Sequence, residues 1–537
     1  MQIERAFVNG KIITLDRSQP EVEALAVADQ KIVAVGSTAE IMALCSPETE
    51  VVDLAGRTVV PGFNDSHMHL GNLGQRLEQV QLNGVRSRQE LIEVSRAFLK
   101  AHPDVQWLVG GGWNHDKFDD RQLPTRHDLD QISTEIPILY SRTCGHIGVV
   151  NSRALEIAGL GQDPVQPAGG VIDVDENGMP TGILRESAKG LVSRHLPENS
   201  VADYKRYFQA AARQAASFGL TSVQSDDIGS GMGEKLQALR QLVEEDSLPV
   251  RVNLQVRLHS VERIEEYLRL REEYQFPAGT VEYGPLKLMT DGSLGGRTAA
   301  LRAPYADDPS TCGVEVLPQE QINELLLFAH SQGLQMAGHA IGDRAMDMLL
   351  NGIENALNER PQQDARPRII HAQITTPDIL ERMQRLGVVC DIQPGFVGTD
   401  LHIVESRVGA ERMRHTYAWK TMRQMGIPTA GGSDCPVESC NPLIGIQIAL
   451  TSQDLNQFPE GGWMPSQRLT LQEALELYTI GSAYASFDED RKGTLSVGKL
   501  ADMVVLERDL REVAPGEIAS VRVLATYLGG RQVYQAE

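Results

Sequence analysis

Eight strand-like runs, separated by helix-patterned segments, occupy the middle of this chain, and no other feature limits its fold as much. The first is TVVPGFND (58–65), in which Thr58-Val59-Val60 reads as a buried strand that Pro61-Gly62 cannot prolong. Seven more follow at 219–227, 249–258, 281–292, 334–343, 368–373, 388–394 and 427–436. Amphipathic segments such as 203–219 and 318–333 fall between them, each ending at Gly as a helix C-cap does. Strands alternating with helices predict a parallel sheet wrapped by helices, and eight such units predict a (β/α)8 TIM barrel of α/β class.

Two stretches do not belong to that repeat. Residues 1–58 read as short strands, with an Asn9-Gly10 hairpin signal in AFVNGKIITL and a second hairpin in ALAVADQKIVAVG. The far end, 493–510 and 521–535, reads as a strand and a hairpin turning at Gly529-Gly530. The expected organisation is a composite β-sandwich from 1–58 and 487–537, with a barrel over 59–486. The interval 71–200 is too long for one strand-to-helix connection and is expected to be an insertion over the barrel mouth. It contains Trp107, Trp113, Asn114, His115, Cys144, Gly145 and His146, expected to form much of a substrate pocket.

Five polar features sit at the carboxyl ends of the predicted strands, where barrel enzymes build their sites: the His67/His69 pair, Lys287, His339, His371 and Asp434. His67 and His69 flank Met68 and point the same way in an extended backbone, so both imidazoles converge. Each feature alone has a structural reading; RIIHAQ can hold a core histidine, and Asp434 can cap a turn. Lys287 within GPLKLMT is odder, because burying an unpaired ammonium is costly. Together, imidazoles and a carboxylate suit zinc and related divalent ions. A lysine carboxylated by carbon dioxide becomes an anionic carbamate able to bridge two metals. One ion would then be held by His67, His69, Asp434 and the carbamate, the other by the carbamate, His339 and His371. A hydroxide between them, its pKa lowered to about 7, would be the nucleophile.

The HMH after the first strand, Lys on the fourth, single histidines on the fifth and sixth, and GSD on the eighth resemble the amidohydrolase superfamily in its two-metal, carboxylated-lysine arrangement. More narrowly, GGGWNHDKF (110–118), LPTRHDLDQI (123–132), SRTCGHIGVVNSRAL (141–155), PTGILRES (180–187), KLMTDGSLGGRTA (287–299), GHAIGDRA (338–345) and ADMVVLERD (501–509) resemble the amidohydrolase-three family that includes N-substituted formamide deformylase. The resemblance also covers the terminal strands, which pair in such proteins to make a sandwich beside the barrel. It implies hydrolysis of a non-peptide amide-type C–N bond, with Asp434 relaying a proton from the attacking water to the leaving amine. His146 and Trp113 are candidate pocket residues, one for the oxyanion and one for an apolar substituent, with a structural histidine and a buried indole as the alternatives. Arg297 is a candidate substrate contact. Asp291, Arg297 and Asp343 closely follow ligand strands and are expected to support ligands or anchor loops. Cys435 reads as a small buried thiol.

Two other readings compete. An aminohydrolase acting on a ring would typically use one metal, lack the strand-four lysine and carry Glu soon after the strand-five histidine; here His339 precedes Ala340-Ile341-Gly342-Asp343. A non-catalytic binding protein on this fold predicts lost ligands, and all six positions are intact. The net charge of -22 disfavours nucleic acid and anionic membrane as partners and leaves a small-molecule substrate. Six scattered cysteines, an amino terminus without an apolar signal core and the absence of a long apolar run point to a cytoplasmic protein. A homodimer is the expected assembly.

Overall fold

Gly62 is where the chain passes from one sheet into another. In the computed structural model, which describes residues 2–142, 146–167 and 169–537, the Gly62 amide donates to Asp502 O at 2.9 Å. A side chain at Gly62 would run into Thr221. Before it, Thr58–Pro61 pairs parallel with Lys11–Ile13 and antiparallel with Met503–Leu506. After it, Phe63–Met68 forms the first barrel strand, parallel to Leu220–Ile228. The run Thr58–Val60 therefore belongs to the terminal sheets, and the strand that delivers the histidines is the polar stretch beyond the glycine. Asn64, Asp65 and Ser66 are buried there.

The described residues fall into two compact units, Met1–Gly71 with Ala211–Glu537, and Asn72–Ala210. The first holds the barrel. Its eight parallel strands run in space as Phe63–Met68, Leu220–Ile228, Arg251–Arg257, Val281–Met289, Met336–Ala340, Arg368–His371, Val389–Ile392 and Thr429–Gly431, in chain order. The first and eighth have no regular ladder between them. The ring is stitched instead just past their ends: Asp434 N donates to His67 O and His69 N to Cys435 O, both at 2.8 Å. Asp65 adds a side-chain stitch, accepting from Ser433 N at 3.0 Å and from the Ser433 hydroxyl.

Both chain ends build a sandwich in the same unit. One sheet orders Lys31–Gly36, Ala24–Ala28, Arg5–Val8 and Glu50–Asp53; the other orders Arg531–Gln535, Val523–Leu528, Met503–Leu506, Thr58–Pro61, Lys11–Ile13 and Glu21–Val22. Phe7, Leu25, Val59, Met503 and Tyr527 fill the space between, with Phe7 edge-on to Tyr527 at 4.8 Å. Asn9-Gly10 is not a hairpin turn, because the strands on either side of it lie in different sheets. The turns at Asp29-Gln30 and Gly529-Gly530 do join antiparallel pairs, all four residues taking positive φ as tight hairpins require.

The second unit has its own six-stranded sheet and apolar core. Its strands order Gly170–Val174, Pro180–Glu186, Ile147–Val150, Ile138–Arg142, Leu108–Trp113 and Val80–Gln81. Val80, Leu91, Leu108, Trp113, Leu129, Ile138 and Tyr140 pack together. Among the described residues no helix is long and apolar enough to cross a membrane.

Candidate metal centre

The closing stitch between the first and eighth barrel strands fixes the backbone beneath His67, His69 and Asp434. Their side chains meet there: Asp434 Oδ1 lies 3.2 Å from His67 Nε2 and 3.0 Å from His69 Nε2. One ligand atom from each of the three lies within 4.8 Å of the others. His371 joins them from the sixth strand, its ring centroid 5.8 Å from that of His67 and 4.5 Å from that of His339. Two of these residues hold unusual backbone: His371 has φ 83° and Asp434 φ 56°. Non-glycine residues rarely sit in the left-handed region, and such strain, roughly 1–3 kcal/mol each, clusters at functional sites.

The tautomers are set by the surroundings. Gln255 donates through Nε2 to Ser66 O, so its Oε1 faces His67 Nδ1 at 2.7 Å and accepts from it. Gln393 donates to Asp391 O and turns its Oε1 to His371 Nδ1 at 2.8 Å. His69 Nδ1 donates to Asp226 O at 3.0 Å, and His339 Nε2 to Gly292 O at 3.0 Å. Each imidazole thus spends its N–H on an oxygen and keeps one nitrogen as a lone-pair donor. For His67 and His69 that nitrogen is at Asp434; for His339 and His371 no hydrogen bond among the described residues engages it. Burial holds His67 below the ordinary histidine range and His371 well below it, which keeps both neutral. Burial pushes the Asp434 carboxyl up, but the imidazoles of His67 and His69 packed against it outweigh burial and hold the group well below the usual carboxylate range. Imidazole nitrogens beside a carboxylate, with His67 and His371 held neutral, fit a divalent cation such as zinc.

Lys287, the buried lysine that stood out in the sequence, is paired. Its Nζ donates to Asp226 Oδ2 at 2.8 Å and lies 3.0 Å from His67 Nε2, with both residues buried. Asp291 is spent on backbone: it accepts from Ile341, Ala300 and Gly342 amides at 3.1, 3.0 and 2.8 Å, and Oδ1 lies 3.2 Å from His339 Nε2. Asp343, the first residue of the helix after the fifth strand, accepts from Arg302 N at 2.8 Å and anchors the loop that follows the fourth strand.

The three candidate substrate contacts have these surroundings. The Arg297 guanidinium is engaged by Asp307 at 3.1 and 3.0 Å, which anchors its loop. Trp113 has no exposed surface and is a core residue of the second unit, so its indole serves packing there. His146 is in the second unit, its side chain 68% exposed and its Nδ1 3.0 Å from Glu186 Oε2. Cys144 and Gly145 lie outside the described residues. Cys435 is buried.

Asp226, Gln255 and Gln393 were not singled out from sequence. Only Asp226 had a visible signal: two consecutive acids, Asp226-Asp227, at the carboxyl end of a predicted strand.

The family model described as "Amidohydrolase family" matches residues 50–534. YtcJ of Bacillus subtilis (strain 168), named as an amidohydrolase, is 35% identical over 98% of this chain and 98% of its own. The N-substituted formamide deformylase of Arthrobacter pascens is 27% identical, again over 98% of each. Among solved structures, an uncharacterized metal-dependent hydrolase from Pyrococcus horikoshii is 31% identical, with a TM-score of 0.79 over 95% of this chain and 99% of that one.

Proposed function

Since this chain belongs to the amidohydrolase family, as a metal-dependent hydrolase of carbon–nitrogen bonds other than peptide bonds, we propose that it cleaves N-acyl or N-formyl amines to an acid and an amine. The observation that carries this reading is a chain of four imidazoles, each with one nitrogen committed to an oxygen, two of them against the Asp434 carboxylate and the others joined to these through ring contacts. His67, His69, Asp434 and Lys287 would hold one divalent ion, most naturally zinc, and Lys287, His339 and His371 a second, with Lys287 carboxylated on Nζ. Bound there, the ions supply Lewis acidity and make water acidic enough to be deprotonated near neutral pH. Asp434 is the proton carrier: its carboxylate takes a proton from the attacking water and delivers it to the leaving amine nitrogen. Its left-handed backbone, with Asp434 N bonded to His67 O, fixes where the carboxylate points. Gln255 and Gln393 hold His67 and His371 in the tautomer that offers Nε2. The similarity to a formamide deformylase supports N-formyl amines as the first substrates to try.

The Lys287–Asp226 pair favours a second reading, in which Lys287 stays an unmodified cation and a single ion is held by His67, His69 and Asp434. Substrate class is tested separately, by following amine release from a panel of N-formyl and N-acyl amines with the zinc-loaded protein. The expected result is turnover that falls by about 10²–10⁴ in Asp434→Asn with metal content retained. Turnover of esters or ring amines with none of the panel cleaved would overturn the assignment.

A further inference from the structure

We infer that Asp226 is a positioning residue of the metal centre, acting through two of its ligands at once. It sits at the end of the second barrel strand, and its two halves point to different tasks. The carboxylate reaches Lys287, Oδ2 accepting from Nζ at 2.8 Å, while the backbone carbonyl accepts from His69 Nδ1 at 3.0 Å. The neighbours hold the same segment from the other side. Ser225 Oγ accepts from Leu70 N at 2.8 Å, and Asp227 accepts from Gly71 N with both oxygens at 3.0 Å. Ser225-Asp226-Asp227 therefore holds the His69 ring and clamps the two residues that follow it.

The carboxylate has little else to do. Asp226 is buried, its Oδ1 has no hydrogen-bond partner among the described residues, and the nearest other cation is Arg257 Nε at 3.9 Å. A group buried at that cost is explained by the nitrogen it holds. The geometry also suits a carboxylated Lys287, because a carbamate nitrogen keeps one N–H, and Asp226 Oδ2 is placed to receive it. The inference rests on Lys287 and His69 belonging to the centre, as proposed above, and it holds for one ion or two.

The test uses the full-length protein stripped of metal and titrated with zinc alone, in wild type, Asp226→Asn and Asp226→Ala. Asparagine keeps an acceptor for the Nζ hydrogen; alanine does not. Zinc affinity is read by chelator competition, and a carbamate by its carbon-13 resonance after incubation with labelled bicarbonate. The expected result is a loss of zinc affinity of about 10- to 100-fold in Asp226→Ala, the range for removing an outer partner of a ligand. A smaller loss is expected in Asp226→Asn, with kcat lowered more than KM is raised in both. The carbamate signal should disappear in Asp226→Ala and survive in Asp226→Asn. If Asp226→Ala does not fold, a loss of affinity in Asp226→Asn carries the inference. Wild-type zinc affinity in the folded variants would overturn it. A wild type that binds one zinc and shows no carbamate would sink the two-ion reading alone, because the loss of affinity in the variants would still be measured.

Discussion

Replacing Arg368 with Met should unfold the barrel more easily than any loss of apolar contact predicts. Arg368 and Asp391 are both wholly buried inside the barrel, joined by two hydrogen bonds at 2.9 and 2.7 Å. The guanidinium also donates to Gln224 Oε1 at 2.7 Å and to Ser66 O at 2.8 Å, the carbonyl just before His67. Methionine fills much of the space but leaves Asp391 charged and alone. Breaking one side of a buried pair costs about 3–5 kcal/mol. At roughly 2 °C per kcal/mol for a domain this large, the melting temperature should fall by about 6–10 °C. Scanning calorimetry on metal-free protein measures this without a contribution from bound ions. The double variant Arg368→Met/Asp391→Leu separates the causes. It removes the stranded charge and leaves only Gln224 Oε1 unpaired, about 1–3 kcal/mol at most, because Ser66 O keeps the Gln255 Nε2 donor, so it should recover part of the loss. A single variant that melts within about 2 °C of wild type, or a double variant no more stable than the single, would refute the reasoning.

Three further outcomes follow from the same structure. Gln393→Leu removes the acceptor that fixes His371, and zinc affinity should fall by about 10- to 100-fold with little change in the melting temperature of the metal-free protein. Asp291→Ala strands the amides of Ala300, Ile341 and Gly342, and at about 1–3 kcal/mol per buried donor the fold should lose 3 kcal/mol or more in urea titration. Asp400 is held up by burial above the ordinary aspartate range, with the Tyr417 hydroxyl donating to it only partly opposing this. A raised folded-state value makes the group most favourable when protonated and costs stability as pH rises through it. Asp400→Asn should therefore raise the melting temperature at pH 7 and lose that advantage as the pH is lowered to about 4.

The repeat was legible in the sequence because its signals are local. Gly or Pro flanks most of the strands, and apolar runs such as RIIH and VVCDI differ plainly from the amphipathic segments between them. Sequence patterning centres the first strand too early, on Thr58–Val60 rather than Phe63–Met68, for the opposite reason: a strand facing a polar barrel interior has no apolar period, and the run just before it, Thr58–Pro61, looks more like a strand. The histidines and Asp434 could be found because metal-binding side chains at strand ends are few. Their supports could not. Gln255 and Gln393 are buried glutamines, and nothing in VNLQVR or DIQP separates them from the solvent-facing polar residues of an ordinary strand. Lys287 could be recognised as odd but not as paired, since Asp226 lies 61 positions away. Trp113 misled because an indole in a glycine-rich stretch reads equally well as pocket or core, and only the second unit's packing decides between them.

Metal content per chain, measured together with intact mass before and after mild acid, tests the central claim most directly. The account predicts about two divalent ions per chain, an acid-labile carbon dioxide adduct localised to Lys287, and loss of metal in His67→Ala and His371→Ala proteins that remain folded. A folded protein that carries no metal, or whose metal survives both substitutions, would contradict it.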